Sequence, residues 1–294
     1  MRLNFGSKVI KWLLVLVFVT LLIIFLSIPL SRVVSPDLSP AGNWSSNWAQ
    51  SQLITNVNLV DVRNGDIIAN QAVLIKNGNV VQIGDSDTMF DELSGSNVIE
   101  VDGEGNFLVP GLVDAHVHVF DPQDLGLYLS HGITSVRNMA GMPSHLRWQE
   151  KAERNEMIAS RLISYSPALN AGDDLGPFHQ RVNSPEHGRE LVRKFAKMGY
   201  QGIKVYSGLS LKVTEAIIDE ASKQGLPVGG HPSSQFSFEQ PTNLPLASIE
   251  HIEELFQGAL QYQATKVSVA DLAQRVADSG TPIVSTLVAF DNIF

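Results

Sequence analysis

Two histidines separated by one residue, His116 and His118, lie at the end of the apolar run LVDAHVHVF. Alternate residues of a β-strand project to the same face, so a strand here would direct both imidazoles to one side and Val117 to the other. Neutral imidazoles bind divalent transition ions, and two of them on one face can share an ion. Such pairs also occur at protein surfaces, so further ligands are needed before this one indicates a metal site.

A lysine interrupts the apolar run GIKVY, where Ile203 and Val205 share one strand face and Lys204 takes the other. Burial disfavours an ammonium ion and lowers its pKa. A neutral inward amine can take up carbon dioxide as a carbamate, an anion whose two oxygens can bridge two divalent ions. The alternative is a lysine that extends to solvent or pairs with an acidic residue.

Two more histidines end apolar runs: His231 closes LPVGGHP and His251 lies in ASIEHIEE. Together with the earlier residues they place five chemistry-bearing side chains at ends of predicted strands: His116, His118, Lys204, His231 and His251. Strand ends that face one mouth of a barrel are where barrel enzymes hold their chemistry, so the set indicates one metal centre.

Three carboxylates surround His251. We interpret Glu250, Glu253 and Glu254 as solvated groups or as hydrogen-bond partners of a ligand imidazole, which would fix its tautomer. Tyr206 shares the strand face of Lys204, and His179 lies in the loop NAGDDLGPFHQ. Either side chain is a candidate substrate contact, and the alternatives are ordinary packing for Tyr206 and a solvated loop for His179.

The elements that must position these residues alternate between short apolar strands and amphipathic helices after Pro110. The predicted strands are residues 112–118, 133–137, 162–167, 202–206, 227–231, 248–251 and 282–287. No Gly-x-Gly-x-x-Gly loop follows any of them, which favours a (β/α)8-type TIM barrel over a doubly wound sheet. Ser184-Pro185 predicts one helix start, and Ser268-x-x-Asp271 predicts a capping box before a helix that ends at Gly280.

Upstream of the barrel, residues 51–109 contain short apolar clusters separated by turn signals and predict a small β-sandwich. The strongest signal is Asn77-Gly78 between two runs rich in Val and Ile, which predicts a two-residue hairpin. We therefore expect a β-sandwich segment at 51–109 and an incomplete hydrolase barrel at 110–294.

The N-terminal residues carry a targeting signal. No charged residue occurs in residues 12–31, which are long enough to span a bilayer, and Arg2, Lys8 and Lys11 precede them. This pattern predicts a membrane anchor at residues 1–32, a linker at 33–50, a cytoplasmic N-terminus and an extracytoplasmic domain, periplasmic in a bacterium. The alternative is a signal peptide cleaved near residues 40–42.

Charge and cysteine content exclude several classes of function. The 294 residues include 21 Lys and Arg against 30 Asp and Glu, a net charge of −9, which disfavours a nucleic-acid partner. The chain has no cysteine, so thiolate metal sites, disulfides and cysteine nucleophiles are excluded. Any metal must be held by histidine, carboxylate or a modified lysine.

The motifs FLVPGLVDAHVH, GIKVY, GGHP and SIEHIEE resemble the amidohydrolase superfamily, especially its imidazolonepropionase-like and prolidase-like branch. The resemblance spans about residues 51–294. It implies a distorted barrel with an appended β-sandwich, and a metal-bound hydroxide that attacks an amide, dipeptide or cyclic amide C–N bond of a small molecule. It also implies two divalent ions, zinc before manganese, cobalt or iron.

The resemblance assigns a role to each candidate ligand. His116 and His118 would bind the more buried ion, Lys204 would bridge both ions as a carbamate, and His231 and His251 would bind the second. The family also has a metal-binding, proton-transferring aspartate after an eighth strand, whereas only seven strands are predicted here. We therefore expect a barrel missing its last strand, inactive and prone to aggregate as given.

Other functions remain open at this stage. A noncatalytic, membrane-tethered binding module or a truncated product would carry the same residues. Lactonases and deaminases of the same superfamily use much the same ligands, so the ligands alone do not identify the substrate.

Overall fold

In a computed structural model of the protein, residues 51–172, 175–233, 246–260 and 262–291 are described. Their strands are β1 (Ser51–Asp61), β2 (Asp66–Lys76), β3 (Asn79–Asp85), β4 (Val98–Asp102), β5 (Phe107–Leu108), β6 (Leu112–Val117), β7 (Ile133–Asn138), β8 (Arg161–Ser164), β9 (Ala168–Asn170), β10 (His179–Arg181), β11 (Ile203–Val205), β12 (Val228–Gly230), β13 (Ser248–Glu250) and β14 (Ile283–Val284). The helices are α1 (Ser86–Leu93), α2 (Pro122–Ser130), α3 (Pro143–Glu153), α4 (Pro185–Met198), α5 (Leu211–Lys223), α6 (Lys266–Ser279) and α7 (Leu287–Asp291), with a π-helical turn at Leu255–Ala259.

The predicted membrane location is corrected. Across the described ranges, no helix is both long enough and apolar enough to cross a bilayer. The predicted membrane anchorage and extracytoplasmic placement are therefore not upheld. Residues 12–31, on which that prediction rested, and the predicted linker at 33–50 lie outside the described residues.

The first sheet has the strand order β3-β2-β1-β4, and β5 also pairs with β1. Its hairpin forms where predicted: Lys76 pairs with Asn79, and the two loop residues Asn77 and Gly78 have positive φ values of 52° and 73°. Positive φ at both positions matches the twist of the flanking strands, which is why Asn-Gly is favoured there.

In the described part of residues 51–109 the structure has one sheet backed by a helix, and a β-sandwich stays a prediction. Helix α1 begins after Asp85, whose carboxylate accepts a hydrogen bond from the Thr88 backbone N–H. Met89 of α1 packs against Leu53 and Leu74 of the sheet. This helix was not predicted from the sequence, because it has only 8 residues.

The remaining strands pair in parallel in two groups, with the orders β6-β7-β8 and β10-β9-β11-β12-β13-β14. A bridge between Tyr165 and Gly202 connects β8 to β11. All seven predicted strands are present, and β9 and β10 are additional. Among the described strands no pairing joins β6 to β14, so closure into a barrel stays a prediction while the α/β class is confirmed.

Helix starts follow capping chemistry, with one correction. Helix α4 begins at Pro185 after Ser184, whose hydroxyl accepts from the His187 N–H, as predicted. Helix α6 begins at Lys266, three residues earlier than predicted, because Thr265 is the cap. Ser268 is its capping-box partner rather than the cap, since its hydroxyl accepts from the Thr265 backbone N–H.

The largest core lies between the parallel strands and helices α4 and α5. Val192, Phe195, Ile203 and Ile217 are buried together in it. A smaller cluster packs behind β6, where the side chain of Val117 is buried among Leu125, Val136 and Leu162. The apolar face of β6 therefore anchors the strand whose other face carries the two histidines.

A substitution at the last residue of β12, which is a glycine, tests how closely β11 and β12 approach each other. Gly230 has a φ of 146°, and a Cβ there would overlap the Val205 carbonyl oxygen of β11. We expect Gly230→Ala to lower the free energy of unfolding by about 3 kcal/mol, because strain and overpacking add. Urea unfolding followed by tryptophan fluorescence measures the change.

The matched control is Gly225→Ala, at a φ of 68° with no atom within 4 Å of a Cβ. This variant has the backbone strain without the steric overlap, so it should lower the free energy of unfolding by only about 1 kcal/mol. Equal losses in the two variants would show that the close approach of β11 and β12 has no energetic weight.

Candidate metal centre

Three imidazole rings meet at the ends of β6 and β13. The Nε2 atom of His116 lies 3.2 Å from that of His118 and 3.1 Å from that of His251. Two nitrogen ligands of one tetrahedral zinc ion are about 3.3 Å apart, since each bond is about 2.0–2.1 Å long. The three rings are therefore spaced like ligand pairs of a metal ion.

The proton of His116 is placed by Glu250. His116 Nδ1 lies 2.7 Å from Glu250 Oε2, and the carboxylate is completely buried. Burial raises the pKa of Glu250, but hydrogen bonds from His116 and Ser248 and the charge of Arg137 bring it below its ordinary value. An ionised Glu250 only accepts, so His116 donates from Nδ1 and its Nε2 keeps a free lone pair.

Arg137 supports Glu250 and was not identified from sequence. Its guanidinium donates to Glu250 Oε1 at 2.6 Å, to Ser248 Oγ at 2.9 Å and to the Ala115 carbonyl at 2.7 Å. Its central carbon also lies 5.3 Å from the Tyr165 ring centroid. The signal in the sequence was the charged residue inside the strand ITSVRN, which is the same kind of signal that identified Lys204.

His231, which follows β12, contacts a glutamate in the same way as His116. Its Nδ1 contacts Glu254 Oε1, and the ring is buried with no hydrogen-bond partner for Nε2 among the described residues. The ring stacks on Tyr206 with centroids 3.8 Å apart and meets His251 edge to face at 4.7 Å. His231 therefore also directs an unpaired nitrogen toward the site.

Lys204 is buried, with 2% of its surface exposed, and within the described part of the chain its Nζ has no hydrogen-bond partner. Neither alternative from the sequence holds, because the amine neither reaches solvent nor hydrogen-bonds a carboxylate. Burial lowers its pKa to about 8, against the opposing charge of Glu250. Deprotonation of this amine is therefore easier than for an ordinary lysine.

The histidine rings are neutral near pH 7. Burial, together with a neighbouring histidine and the charge of Lys204, lowers the pKa of His118 to about 4 and that of His251 to about 3. Burial and the charge of Lys204 also lower the pKa values of His116 and His231. Lys204 thus lies within electrostatic reach of all four rings, and the structure brings the five predicted ligands together.

Two further candidates lie beside this cluster. The His179 ring is 4.6 Å from that of Tyr206, and its Nδ1 is 3.3 Å from the Asn170 amide nitrogen. His179 is on strand β10 rather than in an unstructured loop, so the predicted solvated loop is corrected.

The donor set fits a divalent transition ion. Neutral imidazoles whose Nε2 atoms lie at ligand spacing, next to a buried amine without a hydrogen-bond partner among the described residues, are nitrogen donors of the right kind. Among the described side chains, no group of three or more His, Asp or Glu is placed to hold an ion by itself.

Comparison with known proteins gives partial sequence similarities. No family model matches the chain. An adenine deaminase from Bacillus licheniformis is 29% identical over 201 residues, covering 61% of this chain and 31% of that protein. A dihydroorotase from Carboxydothermus hydrogenoformans is 44% identical over 70 residues, 24% of this chain and 15% of that protein. The chain is similar to members of the amidohydrolase superfamily.

A solved prolidase in complex with N-methylphosphonate-L-proline shares the amidohydrolase fold with a TM-score of 0.60 at 19% identity, over 80% of this chain and 78% of that one. This likeness concerns the fold alone. The chain spans about a third or less of the length of the first curated relatives that it matches, with 14%, 31% and 15% of each covered.

The buried Arg137–Glu250 pair has a measurable consequence for the stability of this chain. We expect Arg137→Met to lower the free energy of unfolding by about 3 kcal/mol, because it leaves the Glu250 charge buried without its cation. Denaturant unfolding of the purified chain measures the loss.

Arg154→Met is the control, since Arg154 is exposed and its oxygen partner on Glu150 is 3.8 Å away. An exposed pair of this kind contributes at most about 0.5 kcal/mol. If Arg137→Met cost no more than this control, the pair would not stabilise the site.

Proposed function

We propose that this chain is a metal-dependent hydrolase that cleaves a C–N bond in a small molecule such as an amide, dipeptide or cyclic amide. The observation that supports it best is the buried amine of Lys204, which has no hydrogen-bond partner among the described residues and lies within electrostatic reach of the four histidine rings and of Glu250. Such a group is costly to bury for packing alone, and it suits metal chemistry.

In this proposal two divalent ions, zinc foremost, are held by the five donors. His116 and His118 would bind one ion, His231 and His251 the other, and Lys204, carboxylated by carbon dioxide, both. When bound, such ions polarise a carbonyl and lower the pKa of a water. The parallel strands β6 to β14 would be part of a TIM-type barrel that holds the donors at one mouth.

The chain's own residues then orient and contact the reactants. Arg137 and Glu250 hold the His116 ring, so that its Nε2 stays directed at the site. Tyr206 stacks on His231, and His179 lies beside Tyr206. We propose that both side chains contact the substrate on this side of the cluster.

A deaminase is the second candidate. The curated relatives named adenine deaminase favour a substrate whose exocyclic amine is released, whereas the prolidase that shares the fold favours a dipeptide. Both reactions break a C–N bond with the same donors. Release of ammonia from adenine against release of proline from a dipeptide separates them.

Replacing Lys204 by Met tests the proposal. We expect wild-type protein to bind about two zinc or manganese ions and Lys204→Met at most one, because the shared donor is lost. Metal content by mass spectrometry measures this on the full chain. Hydrolysis of adenine, dihydroorotate, Xaa-Pro dipeptides and a lactone is followed on the same proteins.

Lys194→Met is the control, because Lys194 is an exposed lysine of helix α4. It should leave metal content and turnover unchanged. Equal metal content in wild type and Lys204→Met would contradict the role of the lysine. Hydrolysis of the lactone alone would contradict C–N specificity and favour a lactonase.

A further inference from the structure

One five-residue segment, Glu250-His251-Ile252-Glu253-Glu254, carries three carboxylates next to the candidate metal centre. The sequence predicts that these glutamates are solvated or hydrogen-bond a ligand imidazole. In the structure two of them contact histidines on other strands. Glu250 reaches His116, which ends β6, and Glu254 reaches His231, which follows β12.

The backbone of the segment explains this reach. Glu250 is the last residue of β13 and is buried beneath the rings. His251 then adopts a left-handed conformation with a φ of 72°, which turns the chain out of the strand. Its N–H donates to Val284 O at 2.9 Å and the Ile252 N–H donates to Ser285 O at 3.2 Å, so the turn is fixed against β14. After the turn, Glu254 contacts His231 Nδ1.

Each carboxylate contacts the Nδ1 atom of its histidine. The Nε2 atom of that ring therefore faces the site. Nε2 of His231 has no partner among the described residues, and Nε2 of His116 faces only other imidazole nitrogens. A carboxylate beside Nδ1 favours the tautomer with the proton there. The arrangement therefore prepares two lone pairs before any ligand binds.

Glu253 differs from its neighbours. Its Oε1 is 3.2 Å from His251 Nδ1, but the pair lacks hydrogen-bond alignment, and both His251 Nδ1 and Glu253 Oε2 are without hydrogen-bond partners among the described residues. The segment therefore fixes the proton on two of its three neighbouring histidines.

We propose that Glu250 and Glu254 are positioning residues that hold His116 and His231 as Nδ1–H tautomers, one for each half of the candidate metal centre. Only the metal-affinity readout below rests on the proposed function. The tautomers themselves are properties of the metal-free chain.

The experiment is a long-range 1H–15N correlation spectrum of the metal-free full chain, labelled with 15N-histidine, at pH 8. Wild-type His116 and His231 should both appear as Nδ1–H. Glu254→Leu should convert His231 to mainly the Nε2–H form and leave His116 unchanged. Glu254→Gln keeps an acceptor oxygen and should restore the wild-type tautomer, which a merely structural defect would not do.

Zinc titration supplies the second readout. Removing an outer hydrogen-bond partner of a metal-binding histidine weakens metal affinity by about 10–100-fold, so Glu254→Leu should do so and Glu254→Gln should recover most of it. Glu215→Leu, at an exposed position of helix α5, is the control and should change neither readout.

Several results would overturn the proposal. Wild-type His116 or His231 found as Nε2–H would do so without any variant, even if Glu254→Leu failed to fold. An unchanged His231 tautomer in folded Glu254→Leu would do so as well. Wild-type protein with both Nδ1–H tautomers but no zinc affinity would support the positioning roles and contradict the proposed function instead.

Discussion

The buried charge of Glu250 is the constraint on which the candidate centre depends. A carboxylate removed from water costs several kcal/mol unless its lone pairs are satisfied. Here Arg137, Ser248 and His116 supply hydrogen bonds at 2.6, 2.5 and 2.7 Å. These donors come from β7, β13 and β6, so satisfying one carboxylate fixes the relative positions of three strands. The orientation of the His116 ring toward the site is a direct consequence, because His116 is one of these donors.

Small residues make room for this network. A Cβ on Gly229 would lie 2.8 Å from Ser248 Oγ and 3.5 Å from Glu250 Oε1. A Cβ on Gly202 would overlap the Tyr165 ring, the same ring that lies beside the Arg137 guanidinium. The glycines of β12 and the start of β11 are therefore packing requirements of the polar site, in addition to allowing the strands to approach.

The sequence could predict which residues are candidate metal ligands, but not which charged side chains pair with each other. Seven strands and five donors follow from period-two alternation and from polar residues that interrupt apolar runs, since both are local signals. Arg137 gave the same local signal as Lys204, but its partner Glu250 is 113 residues away. Which glutamate serves which histidine depends on the left-handed turn at His251, and a histidine in that conformation has no sequence signature comparable to Asn-Gly. Strands β9 and β10, of three residues each, are too short to show a period.

The site is locally unfavourable in a way that the rest of the fold is not. Cores such as the cluster around Ile203 and Ile217 satisfy packing and propensity together, whereas Lys204 and His231 bury polar nitrogens without partners among the described residues. Each such group costs about 1–3 kcal/mol. A cation that accepts these lone pairs would offset that cost and so stabilise the folded chain by mass action. Local conflict of this kind is expected at functional sites, where the surrounding structure holds groups in place for a ligand.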